Sequence, residues 1–232
     1  MRRSLVLVVI ASGCGGERAS SVAKDWTAVE MKPGWGSFVD PDGDCTQTWK
    51  EGTLTIAVPG KSHELQGDGK RNAPRLLVDR SGDFAVSLRA AGKLAPKSSA
   101  GGKFAPYHGA GIVVWERDAA FVRLERAKLA MPNGGAVTYI NFESQGAAGP
   151  QPVKQVKLGD DETVFLRVER RGTKLAGLMS RDGAKWESLG ETQLASNGPI
   201  KVGVAAVNNT AEPFTPEFSD FHFSEATKPA GG

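Results

Sequence analysis

The stretch DPDGDC holds three aspartates at alternate positions followed by a cysteine: Asp40, Asp42, Asp44 and Cys45. Alternating carboxylates are typical of the first half of a calcium-binding loop. An EF-hand loop places its glycine at position 6, whereas Gly43 stands at position 4, so the stretch is not an EF-hand. Its Pro-Asp-Gly sequence fits a type I or type II turn, in which aspartates bind nearby backbone amides. We interpret it as a turn that delivers Cys45 into the core, with calcium binding as the alternative.

Cys45 could also be a reactive thiol. The chain has one other cysteine, Cys14. A reactive thiolate needs a neighbouring positive charge or a partner thiol. No histidine or second cysteine adjoins Cys45 in the sequence, although Lys50 is close. The sequence therefore favours a small buried hydrophobic role for this side chain.

The first fourteen residues, MRRSLVLVVIASGC, have the layout of an export signal. Two arginines precede a short apolar run, and small residues then lead to Cys14. The tetrapeptide ASGC resembles the bacterial lipobox, although leucine is usual where Ala11 stands. We predict a lipoprotein signal peptide over residues 1–13, lipidation of Cys14 and a flexible tether over residues 14–24. A plain signal peptide or a buried first strand is the alternative.

Charge and hydropathy narrow the class of protein further. The chain has 29 basic and 26 acidic residues, and loss of the two N-terminal arginines with the signal leaves a net charge of +1. No basic patch remains that would favour a nucleic-acid partner. No run of 18 apolar residues could span a bilayer as a helix. Contact with a membrane is therefore expected through the lipid anchor only.

From residue 25 onward, short segments with a period of two alternate with turn residues. We predict strands at 53–58, 74–79, 84–90, 111–117, 121–127, 137–144, 162–171, 174–180, 200–207 and 217–223. Ten strands with almost no helical periodicity indicate an all-β fold, an antiparallel β-sandwich. Residues 92–109 lack alternation, and a loop of this length is typically mobile or functional.

Strand alternation predicts which side chains share a face. In FVRLERA, Val122 and Leu124 point one way, which leaves Arg123 and Glu125 on the other face. The same rule predicts that Tyr139, Asn141 and Glu143 of the strand at 137–144 share one face, and that Arg167 of the strand at 162–171 points outward. If these strands are neighbours, one sheet face carries a polar surface, to which Trp115 could add an aromatic ring. Arg/Glu ladders are also the ordinary surface of a solvated sheet, so the pattern alone leaves binding open.

Several motifs resemble the DUF1349 family of concanavalin A-like lectin/glucanase domains. They include NAPRLLV, GAGIVVWERDAAFVRLER, FLRVERRGTKLAGLMSRDGAKW, KVGVAAVNNT and FSDFHF, and they span roughly residues 35–223. The resemblance implies a two-sheet jelly roll whose concave face can grip sugars. It also implies a possible structural calcium, with Asp220 as a partner of the three aspartates. Catalytic members carry an E-x-D-x-x-E-like strand pattern, which is missing from this sequence.

These observations predict one concanavalin A-like domain over residues 25–225, followed by a disordered tail over 226–232. The function we expect is non-catalytic binding of a carbohydrate or glycan at the bacterial cell envelope. Because Gly15 rather than aspartate follows Cys14, we expect the outer membrane, facing the periplasm or the exterior. A structural lipoprotein that binds an envelope protein and a glycoside-processing enzyme are the two alternatives. We expect no cofactor besides the possible calcium.

Overall fold

The computed structural model describes residues 26–29, 35–66, 71–101, 105–118, 120–132, 134–146, 149–160 and 162–226. The described residues form fifteen β-strands and no α-helix, so they contain no helix that could cross a membrane. The predicted signal peptide, Cys14, the tether and residues 227–232 lie outside this part of the chain.

The strands are β1 (Trp26–Val29), β2 (Ser37–Val39), β3 (Thr46–Lys50), β4 (Thr53–Ala57), β5 (Arg75–Arg80), β6 (Phe84–Ala91), β7 (Tyr107–Arg117), β8 (Ala120–Ala130), β9 (Ala136–Gly146), β10 (Gly149–Lys157), β11 (Val164–Arg171), β12 (Lys174–Ser180), β13 (Glu187–Gln193), β14 (Ile200–Asn208) and β15 (Glu217–Ala226). The last strand includes Ala226, one residue beyond the predicted end of the domain.

Two antiparallel sheets make up the fold, which confirms the predicted all-β sandwich. An eight-stranded sheet runs in the order β13-β12-β11-β6-β15-β4-β3, with β1 also paired to β15. A seven-stranded sheet runs in the order β10-β9-β8-β7-β14-β5-β2. The main hydrophobic core lies between them and draws side chains from both, including Phe84 and Phe223 from one sheet and Ile112 and Phe142 from the other.

A second, smaller hydrophobic cluster covers part of the outer face of the seven-stranded sheet. Leu65 and Ala73, from the segment before β5, pack there on Val113 and Trp115 of β7. The central part of β7 is therefore buried on both faces. This covering segment turns an otherwise open sheet face into a partly enclosed one.

Each of the ten predicted strands corresponds to an observed strand, with bounds that differ by a few residues. Five more strands, β1, β2, β3, β10 and β13, were not predicted. Strand β10 contains Pro150 and Pro152, and proline cannot donate to a strand ladder. It is tolerated here because β10 is an edge strand of its sheet.

The chain bends at residues 41–43 of DPDGDC, where we predicted a turn that delivers Cys45 into the core. Gly43 has a positive φ of 73°, and the Cys45 amide donates a hydrogen bond to Asp40 Oδ2 at 2.7 Å. Cys45 belongs to the main hydrophobic core. An aspartate that binds a nearby amide is the interaction that we expected of this turn.

Gly111 allows β7 and β8 to approach closely. It lies opposite Glu125, and a Cβ there would overlap the Leu124 carbonyl oxygen and stand 2.5 Å from the Glu125 Cα. We expect Gly111→Ala to lower the free energy of unfolding by about 2 kcal/mol, because a backbone contact cannot relax alone. Gly146→Ala in β9 is the matched control, because its Cβ would meet no atom within 4 Å. Urea denaturation that gives equal stability for the two variants would contradict this prediction.

Candidate functional site

Five of the seven predicted ligand-binding residues lie together on the outer face of the seven-stranded sheet. They come from the neighbouring strands β8 and β9: Arg123, Glu125, Tyr139, Asn141 and Glu143. In the register of this pair, Arg123 stands opposite Glu143 and Glu125 opposite Asn141. On the far side of β9, Gln155 of β10 stands opposite Asn141. The sheet thus places polar side chains of three strands side by side.

Arg123 lies between two glutamates at the centre of this face. Its Nε and Nη2 each approach Glu143 Oε1 at 3.1 Å. Its Nη1 lies 3.2 Å from Glu125 Oε1, at ion-pair distance but without the geometry of a hydrogen bond. All three side chains are buried, with at most 9% of each residue exposed. One guanidinium therefore neutralises one of two carboxylates, and the cluster keeps a net negative charge.

Tyr107 and Asn141 complete the contacts of Glu125. The Tyr107 hydroxyl donates to Glu125 Oε1 at 2.6 Å, and Asn141 Nδ2 donates to the same oxygen at 3.3 Å. Gln155 Nε2 in turn donates to Asn141 Oδ1 at 3.2 Å. These bonds fix the side chains, so the face is an ordered polar network rather than a row of mobile surface charges.

Glycine in β7 makes room for this network. A Cβ at position 109 would lie 2.6 Å from Glu125 Oε2 and 2.7 Å from Tyr107 Cε1. Since glycine has no side chain, the carboxylate and the phenol ring can occupy that space. The sequence YHGAG therefore shapes the network without contributing a polar group at position 109.

The network forms one side of a cavity of about 620 Å³. Arg123, Asn141 and Glu143 line it on the sheet side, together with the rings of Tyr107 and Tyr139. Apolar residues of β8 and β10 also line it: Leu129, Pro150, Pro152 and Val153. Cavities that bind small molecules typically have ~300–1,000 Å³ and combine apolar walls with a few fixed polar groups.

The protonation states of the lining groups follow from burial and charge. Burial raises the pKa of Tyr107 and of Tyr139, and the Glu125 carboxylate raises both further, so both phenols stay neutral. Burial lowers the pKa of Arg123, but the carboxylates of Glu125 and Glu143 outweigh it and the net shift is upward. A ligand therefore meets a permanent cation and neutral hydroxyl groups.

Two of the predicted ligand-binding residues lie elsewhere. Arg167 is on β11, which belongs to the other sheet, and it pairs with Glu169 at 2.6 Å. Trp115 shares the sheet face of the network, but its ring stacks on Phe121 at 4.7 Å and lies under the Arg75 guanidinium at 4.4 Å. Neither residue lines the cavity. The expectation that Arg167 joins the polar face was wrong, because β11 pairs with β6 and β12 rather than with β8 or β9.

The aspartates predicted for calcium already have partners within the protein, and Asp42 and Asp44 share Lys61. Asp40 binds the Cys45 amide, Asp42 accepts from Asn72 Nδ2 at 2.7 Å, and Asp44 pairs with Lys61 at 2.6 Å. Asp220 lies at an irregularity of β15 with a positive φ of 51°. Among the described residues, the group of three potential metal ligands is Asp44, Cys45 and His63. Asp40, Asp42 and Asp220 are not in this group, and calcium binding stays a prediction.

Sequence reasoning predicted four of the sixteen residues that line the cavity, and the polar residues that it missed include Tyr107, Gln155 and Asn209. Tyr107 stands in the segment that we predicted as a loop, yet it begins β7 and continues the alternation of that strand toward its N-terminus. Gln155 belongs to the proline-containing strand β10. Asn209 follows β14, and its Nδ2 donates to the Ala105 carbonyl at 3.1 Å. Extending the period of two back from Gly111 was the available signal for Tyr107.

The two antiparallel sheets and the cavity on one outer face define a β-sandwich domain of the concanavalin A type. The chain belongs to the family of β-xylosidase C-terminal concanavalin A-like domains, which it matches over residues 24–224. The predicted concanavalin A-like fold is thereby confirmed. A search of the curated proteins gives no match.

Solved structures of distant sequence share the fold. A functionally unknown protein from Saccharomyces cerevisiae has a TM-score of 0.63 at 16% identity, over 85% of this chain and 98% of that one. The xyloglucan PUL GH43B protein of Bacteroides ovatus has a TM-score of 0.54 at 15% identity. This chain aligns over 94% of its own length but spans only 41% of that protein. The CBM2 module of an evolved Dit protein of Lactobacillus casei BL23 phage J-1 has a TM-score of 0.51 at 9% identity, over 91% and 94% of the two chains.

Proposed function

We propose that this chain is a non-catalytic carbohydrate-binding module that is exported and held at the bacterial cell envelope through a lipid on Cys14. The observation that carries the binding function is the cavity of about 620 Å³, which is lined both by the fixed polar network and by apolar side chains. A sugar presents hydroxyl groups around an apolar ring face, and it needs both kinds of surface. We also propose that the chain is a member of the DUF1349 family.

The polar side of the cavity offers groups that can exchange hydrogen bonds with hydroxyls. Asn209 lines it, and among the described residues its buried Oδ1 has no hydrogen-bond partner. A sugar hydroxyl could donate to an acceptor of this kind. Tyr107 and Tyr139 supply aromatic surface beside the same cavity. Aromatic rings with a polar end suit ligands that are apolar on one side and polar on the other.

The arrangement of the two glutamates supports binding over hydrolysis. Glycosidases hold two carboxyl groups about 5–10 Å apart on opposite sides of the scissile bond. Glu125 and Glu143 instead come from neighbouring strands of one sheet face, and both contact Arg123. Oε1 of Glu125 contacts Arg123, Tyr107 and Asn141, and Oε1 of Glu143 contacts Arg123. In our proposal Glu125 orders the network, Glu143 accepts a sugar hydroxyl in the cavity, and neither transfers a proton.

The family description and one structural relative suggest which sugars to test first. The family is described as β-xylosidase C-terminal domains, and the Bacteroides ovatus relative is a xyloglucan PUL protein. Xylo-oligosaccharides and xyloglucan oligosaccharides are therefore the first probes. A glycan array extends the test to other classes of sugar.

The experiment measures binding to the full chain with Cys14→Ser, which removes the lipidation site. We expect selective binding of one oligosaccharide class, weakened about tenfold by Tyr139→Phe and by Gln155→Ala, since each removes about one hydrogen-bonding group. Lys174→Ala is the control, because this lysine is 61% exposed and belongs to the other sheet. A flat array from folded protein would refute the proposal and favour an envelope protein as the partner. Equal sugar affinity of wild type and both cavity variants would show that the sugar binds outside this cavity.

A further inference from the structure

Cys45, His63 and Asp44 come together beside the edge strand β3, and none of the three lines the sugar cavity. The histidine is 18 residues from the cysteine in sequence, and it is fully buried. Cys45 Sγ lies 3.6 Å from Asp44 Oδ1 and 3.9 Å from His63 Nε2, and the nitrogen and the oxygen are 3.4 Å apart. A thiol, an imidazole and a carboxylate thus form a triangle with nearly equal sides.

The dimensions of this triangle suit one metal ion. In a tetrahedral zinc site, bonds of ~2.0–2.3 Å place pairs of ligand atoms about 3.3–3.6 Å apart. The three observed separations lie within or close to that range. A shift of the sulfur by a few tenths of an ångström would complete the geometry. The fourth position of the tetrahedron is left to water.

The surroundings also match those of metal ligands. A metal-binding histidine usually gives its second ring nitrogen to a carbonyl or a carboxylate. His63 Nδ1 lies 3.4 Å from the Asn72 carbonyl oxygen, and Nε2 lies 3.4 Å from Asp44 Oδ1. Cys45 Sγ is 3.9 Å from each ring nitrogen, so the contact with Asp44 is what assigns Nε2 as the ligand atom. The His63 backbone is fixed by reciprocal hydrogen bonds with Asn208, at 2.7 and 3.1 Å. Lys61 holds the other oxygen of Asp44, Oδ2, at 2.6 Å, so Oδ1 is left for an ion.

Electrostatics favours a cation at this place. Carboxylates surround the thiol: Asp44 Oδ1 lies 3.6 Å from Cys45 Sγ, and Asp40 Oδ2 accepts from the Cys45 amide at 2.7 Å. A divalent cation bound at the thiol would offset this negative charge. Asp44 has 30% of its side chain exposed, which gives an ion a route from solvent.

We propose that Asp44, Cys45 and His63 bind a single Zn²⁺ ion that ties the turn before β3 to the segment before β5. The thiol and imidazole ligands select zinc over calcium, which prefers oxygen ligands only. Cys45 binds as the thiolate, and its proton passes to solvent when the metal enters. The ion would stabilise the fold at the sheet edge and does not depend on sugar binding.

The test uses the full chain with Cys14→Ser and no histidine tag, so that Cys45 is the sole thiol. Zinc titration by calorimetry should give one ion per chain, and zinc should raise the melting temperature. Cobalt in place of zinc should show a thiolate-to-metal charge-transfer band. Cys45→Ser should abolish this band and weaken zinc binding by at least about 100-fold, because changes to outer partners alone cost 10–100-fold. Folded wild-type protein that binds no zinc would overturn the proposal.

Two further variants separate ligation from general charge. Asp44→Asn is isosteric and partly exposed, so the variant should fold and lose most of its zinc affinity. Asp42→Asn is the control, since Asp42 carries the same charge nearby and shares Lys61 with Asp44 but is not one of the proposed ligands. It should keep the cobalt band. Equal losses in the two variants, or a wild-type cobalt complex without a thiolate band, would contradict the assigned ligands.

Discussion

Arg123→Ala is expected to lower the free energy of unfolding by about 3–5 kcal/mol, because it leaves two buried carboxylates without their shared cation. Arg123 is 6% exposed, and Glu125 and Glu143 are 3% and 9% exposed. Solvent therefore screens the two carboxylates only weakly when the guanidinium is removed. Guanidinium chloride denaturation, monitored by tryptophan fluorescence, measures the loss. The same change would also disorder the cavity, so stability must be measured before any effect on binding is interpreted.

The chain offers a matched control for this prediction. Arg181 also contacts two glutamates, Glu162 at 2.7 Å and Glu187 at 2.8 Å, but 48% of its side chain is exposed. Arg181→Ala should cost no more than about 1 kcal/mol, because solvent screens exposed ion pairs. A triple variant, Arg123→Met with Glu125→Gln and Glu143→Gln, should recover most of the stability, since no buried charge remains unpaired. Similar losses for the two arginine variants would show that burial of the charge is not the cause.

Alternation of residue types predicted most of the fold because strands with one buried face repeat every two residues. Strands β8 and β9 follow this rule, so their inward Leu124 and Phe142 and their outward polar residues could be assigned from sequence. Strands β10 and β13 were not predicted because polar residues, glycine or proline interrupt the two-residue alternation of apolar and polar side chains. At an edge, a strand needs fewer ladder bonds and less apolar surface, and its sequence is correspondingly less regular.

Which strands pair with each other could not be predicted from the alternation of residues within each strand. Arg167 has the same alternating context as Arg123, yet it belongs to the other sheet. The pairing of β11 with β6 joins segments that are about 75 residues apart, and only the packing of the whole core decides such a pairing. For the same reason the sequence could not show that His63 lies beside Cys45, or that Trp115 stacks on Phe121. The face to which a side chain points thus follows from its own strand, whereas the set of residues that meet in a site depends on how all the strands pair and pack.

His108 should make the stability of the domain depend on pH. The residue is on β7, 1% exposed, and stacks on Phe214 with ring centroids 4.4 Å apart. The Ala95 amide donates to its Nδ1 at 3.3 Å, so that nitrogen is the acceptor. Nε2 then donates to Thr210 Oγ1 at 3.0 Å, and this hydroxyl donates to Asn208 Oδ1 at 2.8 Å. The hydrogen bonds therefore require a neutral imidazole.

Burial lowers the pKa of His108 to about 4, and the Glu212 carboxylate offsets only part of that effect. An unfolded chain binds a proton on this residue below its ordinary pKa of ~6.5, whereas the folded chain does not until about pH 4. Stability is therefore complete above the unfolded pKa and is lost as the pH falls. The linkage relation gives a decrease in the free energy of unfolding, relative to neutral pH, of about 2 kcal/mol at pH 5 and about 3 kcal/mol at pH 4.

Urea denaturation of wild type and His108→Gln at pH 7, 5 and 4 isolates this contribution from that of the carboxylates. The free energy of unfolding of wild type minus that of His108→Gln should fall by these amounts as the pH falls, because only wild type carries the buried imidazole. His222→Gln is the control, since His222 is exposed on β15 and its replacement should leave the pH dependence intact. If His108→Gln does not fold, an NMR titration of the wild-type imidazole decides the question. A His108 resonance that shifts near pH 6.5 would contradict the lowered pKa of this residue.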